Sequence, residues 1–333
     1  MSGATLLQVR DLKVHFPVRT GGVLFGRYTP LRAVDGVSLD LKAGETLGIV
    51  GESGCGKSTL GRAILQLAAA TDGAVSWLGR PLKDASGGDL HALRREMQVV
   101  FQDPLASLDP RMTAGDIIAE PLCNFHPALS QNERTRRVQD MMAKVGLLPS
   151  MINRYPHEFS GGQCQRIGIA RAMILKPKLV VCDEPVSALD VSIRAQVVNL
   201  LMELQREFGL SLIFISHDLA VVRHISHRVM VLYLGRVMET AARDALYARP
   251  LHPYTQALLA AVPIPDPVQQ RAKRAVILAG DPPSPLSPPS GCVFRTRCPH
   301  ATDVCAEKVP QLESAHTDHE VACHHWRRIS ALD

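Results

Sequence analysis

Apolar positions along this chain follow two rhythms that alternate. Near the start, Leu7, Val9 and Leu12 to Phe16, then Val34 to Leu41, alternate as half-buried strands do. Between them a loop rich in glycine and basic residues is expected from Pro17 to Arg32. Asp40-Leu41-Lys42-Ala43-Gly44-Glu45 reads as a turn into Leu47-Gly48-Ile49-Val50, a continuous apolar run of the kind a strand buried on both faces shows. Thr59 to Leu67 has helical spacing, Gly73 to Leu78 reads as a strand, and Met97 to Phe101 as a short buried strand ending at Gln102. From Asp103 to Lys176 helical patterns dominate, notably Glu133 to Val145 and Gln163 to Leu175, separated by proline-containing loops. Leu179 to Cys182 is again a buried strand. Ser192 to Phe208 is an amphipathic helix with Ile193, Val197, Leu200, Leu201 and Leu204 on one side, stopped by Gly209. Leu210 to Ile215 is another buried strand, and Val229 to Val237 a hairpin turning near Gly235. Strands alternating with helices predict an α/β core with a mainly parallel sheet and a helical insertion.

Composition changes this picture only at the end of the chain. The 333 residues are 46% hydrophobic and 21% charged, ordinary for a globular protein. A net charge of +5, spread thinly, gives no electrostatic footprint for nucleic acid. No uninterrupted apolar stretch approaches bilayer length. The opening MSGATLLQVRDLKVHF lacks the basic region and long apolar core of a signal peptide, so a cytosolic chain is expected. Beyond about residue 248, Pro263, Pro265, Pro267, Pro282, Pro283, Pro285, Pro288 and Pro289 predict a stiff, extended connection. It leads to Cys292, Cys298, Cys305 and Cys323, and in a reducing compartment such a cluster points to metal rather than disulfides.

The candidate chemistry begins at residues 51–59, Gly-Glu-Ser-Gly-Cys-Gly-Lys-Ser-Thr, set between the buried strand and the following helix. This is a complete G-x-x-x-x-G-K-[ST] loop. Gly51, Gly54 and Gly56 permit the tight turns that aim backbone N–H groups inward, with Ser53, Cys55 and Thr59 completing the cradle. Lys57 can reach β- and γ-phosphates and the Ser58 hydroxyl can ligate Mg²⁺, so the chain is expected to bind a nucleoside triphosphate. Leu179-Val180-Val181-Cys182 ends in Asp183 and Glu184, the first placed to hold Mg²⁺ and the second to polarise an attacking water. Ser160 is a natural N-cap, and Gly161 and Gly162 expose N–H groups at the start of the Gln163 helix, a second anion site. Such a site fits a nucleotide held by another subunit. Gln102 and His217 each follow a buried strand, Gln102 placed to sense Mg²⁺ and water, His217 to contact a γ-phosphate.

The order of Gly51–Thr59, Gln102, Ser160–Gln163, Asp183-Glu184, Ser187-Ala188-Leu189-Asp190 and His217 resembles the ATP-binding subunits of ABC transporters over roughly residues 5 to 250. Phe159 stands where the signature usually has leucine, and Cys164 follows its glutamine. The resemblance implies a P-loop NTPase of ABC type, with an antiparallel N-terminal β-subdomain added to the parallel core. Its domains would be an ATPase domain over 1–250, including a helical signature subdomain over 103–176, and an extension over 251–333. It also implies catalytic roles for Glu184, His217 and Gln102, Mg²⁺ held by Ser58, Gln102 and Asp183, and adenine stacked on Phe16, with Tyr28 as its rival. Two ATPase subunits would pair head to tail, each presenting Ser160, Gly161, Gly162 and Gln163 to the other's nucleotide.

Narrower phrases are similar to the oligopeptide and dipeptide permease ATPases. They are Phe101-Gln102-Asp103-Pro104, Ser107-Leu108-Asp109-Pro110-Arg111, Tyr233-Leu234-Gly235-Arg236 with Glu239, and Pro250-Leu251-His252-Pro253-Tyr254-Thr255. Phe16-Pro17-Val18 and Leu31 to Asp35 resemble the second, F-type subunit. The resemblance implies a peptide importer of a bacterium, with cargo such as nickel, glutathione or haem as the alternative, and a soluble non-transport ABC ATPase as a more distant one. It further implies a paralogous second ATPase subunit, two transmembrane permease subunits, an extracytoplasmic peptide-binding protein, no nucleic acid, and a peripheral place on the cytoplasmic face of the inner membrane. The terminal cysteines have the spacing C-x5-C-x6-C-x17-C, without the tight pair usual for structural zinc. Four thiolates suit a [4Fe–4S] cluster better, as thought for related subunits. His300, His316, His319, His324 and His325 keep zinc as an alternative, and unliganded thiols are the third reading.

Overall fold

The N-terminal alternation changes parity, from Leu7 and Val9 to Leu12 and Val14, and a bulge explains it. Strand β1 (Thr5–Thr20) pairs antiparallel with β4 (Asp72–Trp77), and the register shifts between Arg10 and Lys13, where Asp11 takes φ 44°. One extra residue turns the even-numbered side chains to the face the odd ones had occupied, and all four stay buried. These coordinates belong to a computed structural model that describes residues 4–21, 27–83, 85–262 and 280–330.

The chain divides into two compact units, each assembled from separate stretches. One comprises residues 6–40, 47–83 and 217–333. Its four-stranded sheet runs in the order β2 (Arg27–Lys42), β1, β4, β5 (Arg80–Pro81). Of the loop expected over Pro17–Arg32, residues 17–20 and 27–32 are strand, and residues 22–26 lie outside the described residues. The Thr20 hydroxyl bonds to the Arg27 carbonyl at 3.2 Å and to the Thr29 hydroxyl at 2.9 Å, so polar side chains extend the pairing where no apolar alternation announces it. Elsewhere in this unit β3 (Thr46–Val50) lies parallel to β9 (Arg228–Tyr233), and helix α1 (Lys57–Ile64) follows β3. The sheet then turns antiparallel, through β10 (Arg236–Ala242) to β12 (His319–Val321) and β11 (Glu313–His316). Helices α7 (Leu219–Ile225), α8 (Arg243–Ala248) and α9 (Pro253–Ala261) also belong to it. The proline-rich connection expected from Pro263 lies in part, over residues 263–279, outside the described residues.

The other unit comprises residues 1–5, 41–46 and 84–216. Its centre is a parallel trio, β6 (Met97–Val100), β7 (Leu179–Asp183) and β8 (Ser211–Ile215), with every residue of β7 and β8 buried. Helix α2 (Gly87–Glu96) leads into β6 under a capping box made by Ser86 and Asp89. Between β6 and β7 run α3 (Ala114–Phe125), α4 (Gln131–Lys144) and α5 (Gly161–Met173), the expected helical insertion, with α3 packed on both α4 and α5. Helix α6 (Val191–Phe208) buries Val197, Leu200, Leu201 and Leu204, and ends where Gly209 turns left-handed at φ 65°. Among the described residues no helix is long and apolar enough to cross a membrane.

Candidate functional site

Strand β3 delivers the loop at residues 51–56 from a fully buried position. Gly51 (φ 152°) and Gly56 (φ 102°) both require glycine on steric grounds. A Cβ on Gly51 would lie 2.2 Å from the Leu232 carbonyl oxygen, and one on Gly56 2.0 Å from that of Ala33. The neighbouring turn also bonds to the loop, with the Gly235 N–H donating to the Cys55 carbonyl at 2.8 Å. Lys57 opens α1 and is 4% exposed. Its Nζ donates to the carbonyls of Gly51 (2.8 Å) and Glu52 (2.9 Å) and lies 3.8 Å from the Cys55 sulfur. No carboxylate among the described residues pairs with this buried cation. Among the described residues its charge is unmatched by any anion, and the cradle is chemically fitted to receive one. Burial pushes the Cys55 thiol up despite the Lys57 charge beside it.

In the other unit, β7 ends at Asp183, 5% exposed, and Glu184 follows in the left-handed region at φ 46°. A glutamate held there stores strain of about 1–3 kcal/mol, and it needs a frame. The Glu184 N–H donates to the Ile215 carbonyl at 3.0 Å, while the Ser187 N–H (3.3 Å) and hydroxyl (3.1 Å) donate to the Glu184 carbonyl. Gln102, exposed just beyond β6, donates from Nε2 to Glu184 Oε2 at 3.4 Å, so two of the expected catalytic side chains meet. Ser160 caps α5 reciprocally with Gln163: Ser160 Oγ accepts the Gln163 N–H at 3.3 Å, and Gln163 Oε1 accepts the Ser160 N–H at 2.9 Å. Gly161 is exposed and Gly162 half-buried. His217 is exposed immediately after β8, and Phe16 and Tyr28 are both exposed, at 43% and 73%. Phe16 is therefore no core aromatic.

Cys292, Cys298, Cys305 and Cys323 gather in one region of the extension. Burial pushes Cys298 up to about 11 and Cys323 up to about 12, with the neighbouring thiols adding to the effect, and burial raises Cys292 as well. Yet among the described residues no group of three or more Cys, His, Asp or Glu side chains converges as a metal-ion ligand set. The expected [4Fe–4S] or zinc ligands therefore lie together without being preformed. Neutral thiols do not draw one another onto a point; thiolates would repel unless a cation held them. Most of the histidines that kept zinc open are engaged otherwise. His319 Nε2 meets Glu239 Oε1 at 2.7 Å, His325 Nε2 the Thr302 hydroxyl at 2.8 Å, and His324 Nε2 the Lys308 carbonyl at 3.0 Å.

Sequence reasoning missed what secures the loop from behind. Arg297 Nη1 lies 2.8 Å from Glu52 Oε2, and the Glu52 N–H donates to Tyr254 Oη at 2.9 Å. Glu239, wholly buried, accepts from the N–H groups of Leu251 and His252 as well as from His319. The one local signal was Glu239 itself, an acid inside an apolar strand. Arg297 gave none, being 245 positions from its partner.

A glycine-cradled loop ahead of a helix, and an acid pair at the end of a buried parallel strand, define a P-loop NTPase of the ABC type. The description "ABC transporter" matches residues 34–187, and "Oligopeptide/dipeptide transporter, C-terminal region" matches 238–305. The chain is 62% identical over 319 residues to the oligopeptide transport ATP-binding protein OppF of Salmonella typhimurium, covering 96% of this chain and 95% of that one. It is 54% identical over 322 residues to AppF of Bacillus subtilis, covering 96% and 97%. Among solved structures, the dimeric ATP-binding cassette MJ0796 in a post-hydrolysis state bound to ADP and Pi aligns with a TM-score of 0.64 and 29% identity, covering 72% of this chain and 99% of that one. The chain belongs to the family of ATP-binding subunits of oligopeptide/dipeptide ABC transporters, the ATPases of peptide importers.

Proposed function

We propose that this chain is the energy-coupling ATPase of a bacterial importer for dipeptides or oligopeptides, and that Lys57 is the centre of its nucleotide site. The carrying observation is the buried Lys57 ammonium inside a glycine cradle, met by carbonyls and, among the described residues, by no carboxylate. Residues Gly51 to Thr59 receive the phosphates, and Phe16 stacks on adenine. Ser58, Asp183 and Gln102 hold Mg²⁺, which supplies charge neutralisation at the transferring phosphoryl group. Glu184 takes the proton of the attacking water, with Gln102 orienting its carboxylate, and His217 binds the γ-phosphate oxygens. Ser160, Gly161, Gly162 and Gln163 serve the nucleotide of a second, paralogous ATPase subunit. Residues 1–250 form the ATPase domain, with 103–176 as its signature subdomain, and 251–333 the extension.

Two permease subunits and an extracytoplasmic peptide-binding protein complete the system, which places this chain peripherally at the cytoplasmic face of the inner membrane. Cys292, Cys298, Cys305 and Cys323 would hold a [4Fe–4S] cluster as thiolates, with zinc as the alternative metal. Affinity capture from detergent-solubilised membranes tests the assembly: two permeases and a second ATPase should co-purify, and recovery with ribosomes or alone counts against it. Glu184→Gln is expected to lower ATPase turnover of the assembled complex by roughly 10²-fold or more while ATP still binds. Near-normal turnover would remove Glu184 from the role of base.

A further inference from the structure

Glu52 poses an electrostatic problem. It is the second residue of a loop built to receive a triphosphate, and its carboxylate, unpaired, would oppose every phosphate that arrives. The protein meets this from the far end of the chain. Arg297, 7% exposed in its side chain, pairs with Glu52 Oε2 at 2.8 Å, the single ion pair Glu52 makes among the described residues. Tyr254 holds the same residue by its backbone, accepting the Glu52 N–H at 2.9 Å.

Both groups are fixed by packing. Tyr233, Tyr254 and Phe294 are fully buried and form one aromatic cluster, with ring centroids 4.7 Å apart for the tyrosine pair and 5.3 Å from each tyrosine to Phe294. Phe294 and Arg297 belong to the same run of tight turns, in which the Arg297 N–H donates to the Phe294 carbonyl at 3.0 Å. The Arg297 guanidinium lies 6.0 Å from the Tyr233 ring centroid and 3.5 Å from its hydroxyl. Phe294 therefore seats the extension, and the seat delivers the guanidinium to the loop.

We propose that the C-terminal extension is a working part of the nucleotide site. Arg297 neutralises Glu52 and Tyr254 anchors its backbone, so that the seating of the extension sets the affinity for ATP. Both are positioning residues that act through Glu52. The proposal rests on residues 51–59 being the phosphate-binding loop.

The test is a double-mutant cycle on the full-length protein, read as the Kd for Mg·ATP. Arg297→Ala is expected to raise the Kd roughly ten-fold, the scale of one hydrogen bond to a charged group. Glu52→Gln supplies the second background, and its own Kd is the reference for the comparison made there. In the Glu52→Gln background, Arg297→Ala should then cost nothing further, because the charge it answers is gone. An equal loss in both backgrounds, or no loss in either, overturns the proposal, since an arginine that merely packs would ignore the identity of residue 52. If Arg297→Ala does not fold, Arg297→Gln keeps the stem against Tyr233 and runs the same cycle. Tyr254→Phe, which deletes only a hydroxyl, should raise the Kd a few-fold, and an unchanged value removes Tyr254 from the scheme. Lys57→Ala separates the two levels: if it binds ATP normally the loop reading itself fails, and if it loses ATP that reading stands whichever way the cycle falls.

Discussion

Burial decides which of the eight cysteines can react. Cys123 is exposed, whereas Cys55, Cys164 and Cys182 are buried, and burial pushes the thiols of Cys55 and Cys164 up and that of Cys182 to about 12. A thiol alkylates as its thiolate, so at pH 8 Cys123 should be modified in the folded protein well before Cys55, as peptide mass mapping over time would read. Rapid modification of Cys55 would mean that the loop opens readily. At this scale the sequence was most informative where residue type is dictated by backbone space. Gly51 and Gly56 could be read as loop residues because any side chain there collides with a carbonyl. Glu184 could be read as an acid at a strand end but not as a residue held left-handed, since that conformation depends on the frame given by Ile215 and Ser187. Arg297 was invisible, because nothing within its own turn reveals a partner in the loop.

Single elements carry their own vulnerabilities, and helix α9 shows one. Its N-cap is His252, whose Nδ1 accepts the Tyr254 N–H at 3.0 Å while the ring is buried. Burial lowers the His252 pKa to about 4, outweighing the opposing pull of the Glu239 carboxylate. The folded state thus disfavours a protonated ring. The stability this represents is present above pH 6.5 and is lost as the pH falls toward 4, up to about 3 kcal/mol. Chemical denaturation between pH 7 and pH 4 should show that decline, and His252→Asn, a cap without a titrating group, should flatten part of it. The buried strands β3, β7 and β8 were legible as continuous apolar runs, and α6 as a stripe closed by Gly209. The outer ends of β1 and β2 were not, because hydroxyl-to-strand bonds rather than apolar alternation continue them. Strands β11 and β12 escaped for the related reason that they are short and gain their place by pairing with β10.

For the molecule as a whole, the extension is structural as well as chemical. Removing residues 251–333 would strip β12 from β10, leave Glu239 without His319 and the Leu251 and His252 amides, and leave the Tyr233 ring without those of Tyr254 and Phe294. An unsatisfied buried carboxylate costs several kcal/mol, and an uncovered strand edge invites pairing between chains. A chain ending at residue 250 should therefore aggregate, seen as a void-volume peak in size-exclusion chromatography, and a soluble monomer that binds ATP would contradict this. The same interleaving bears on synthesis. The unit that holds the phosphate loop begins at Leu6 and closes only with strands and turns near the other end of the chain. At roughly 5–20 residues per second, its first strands leave the ribosome tens of seconds before the residues that complete their sheet and seat the loop exist. The nascent ATPase spends that interval with apolar strands exposed, a period in which a holding chaperone has the most to protect.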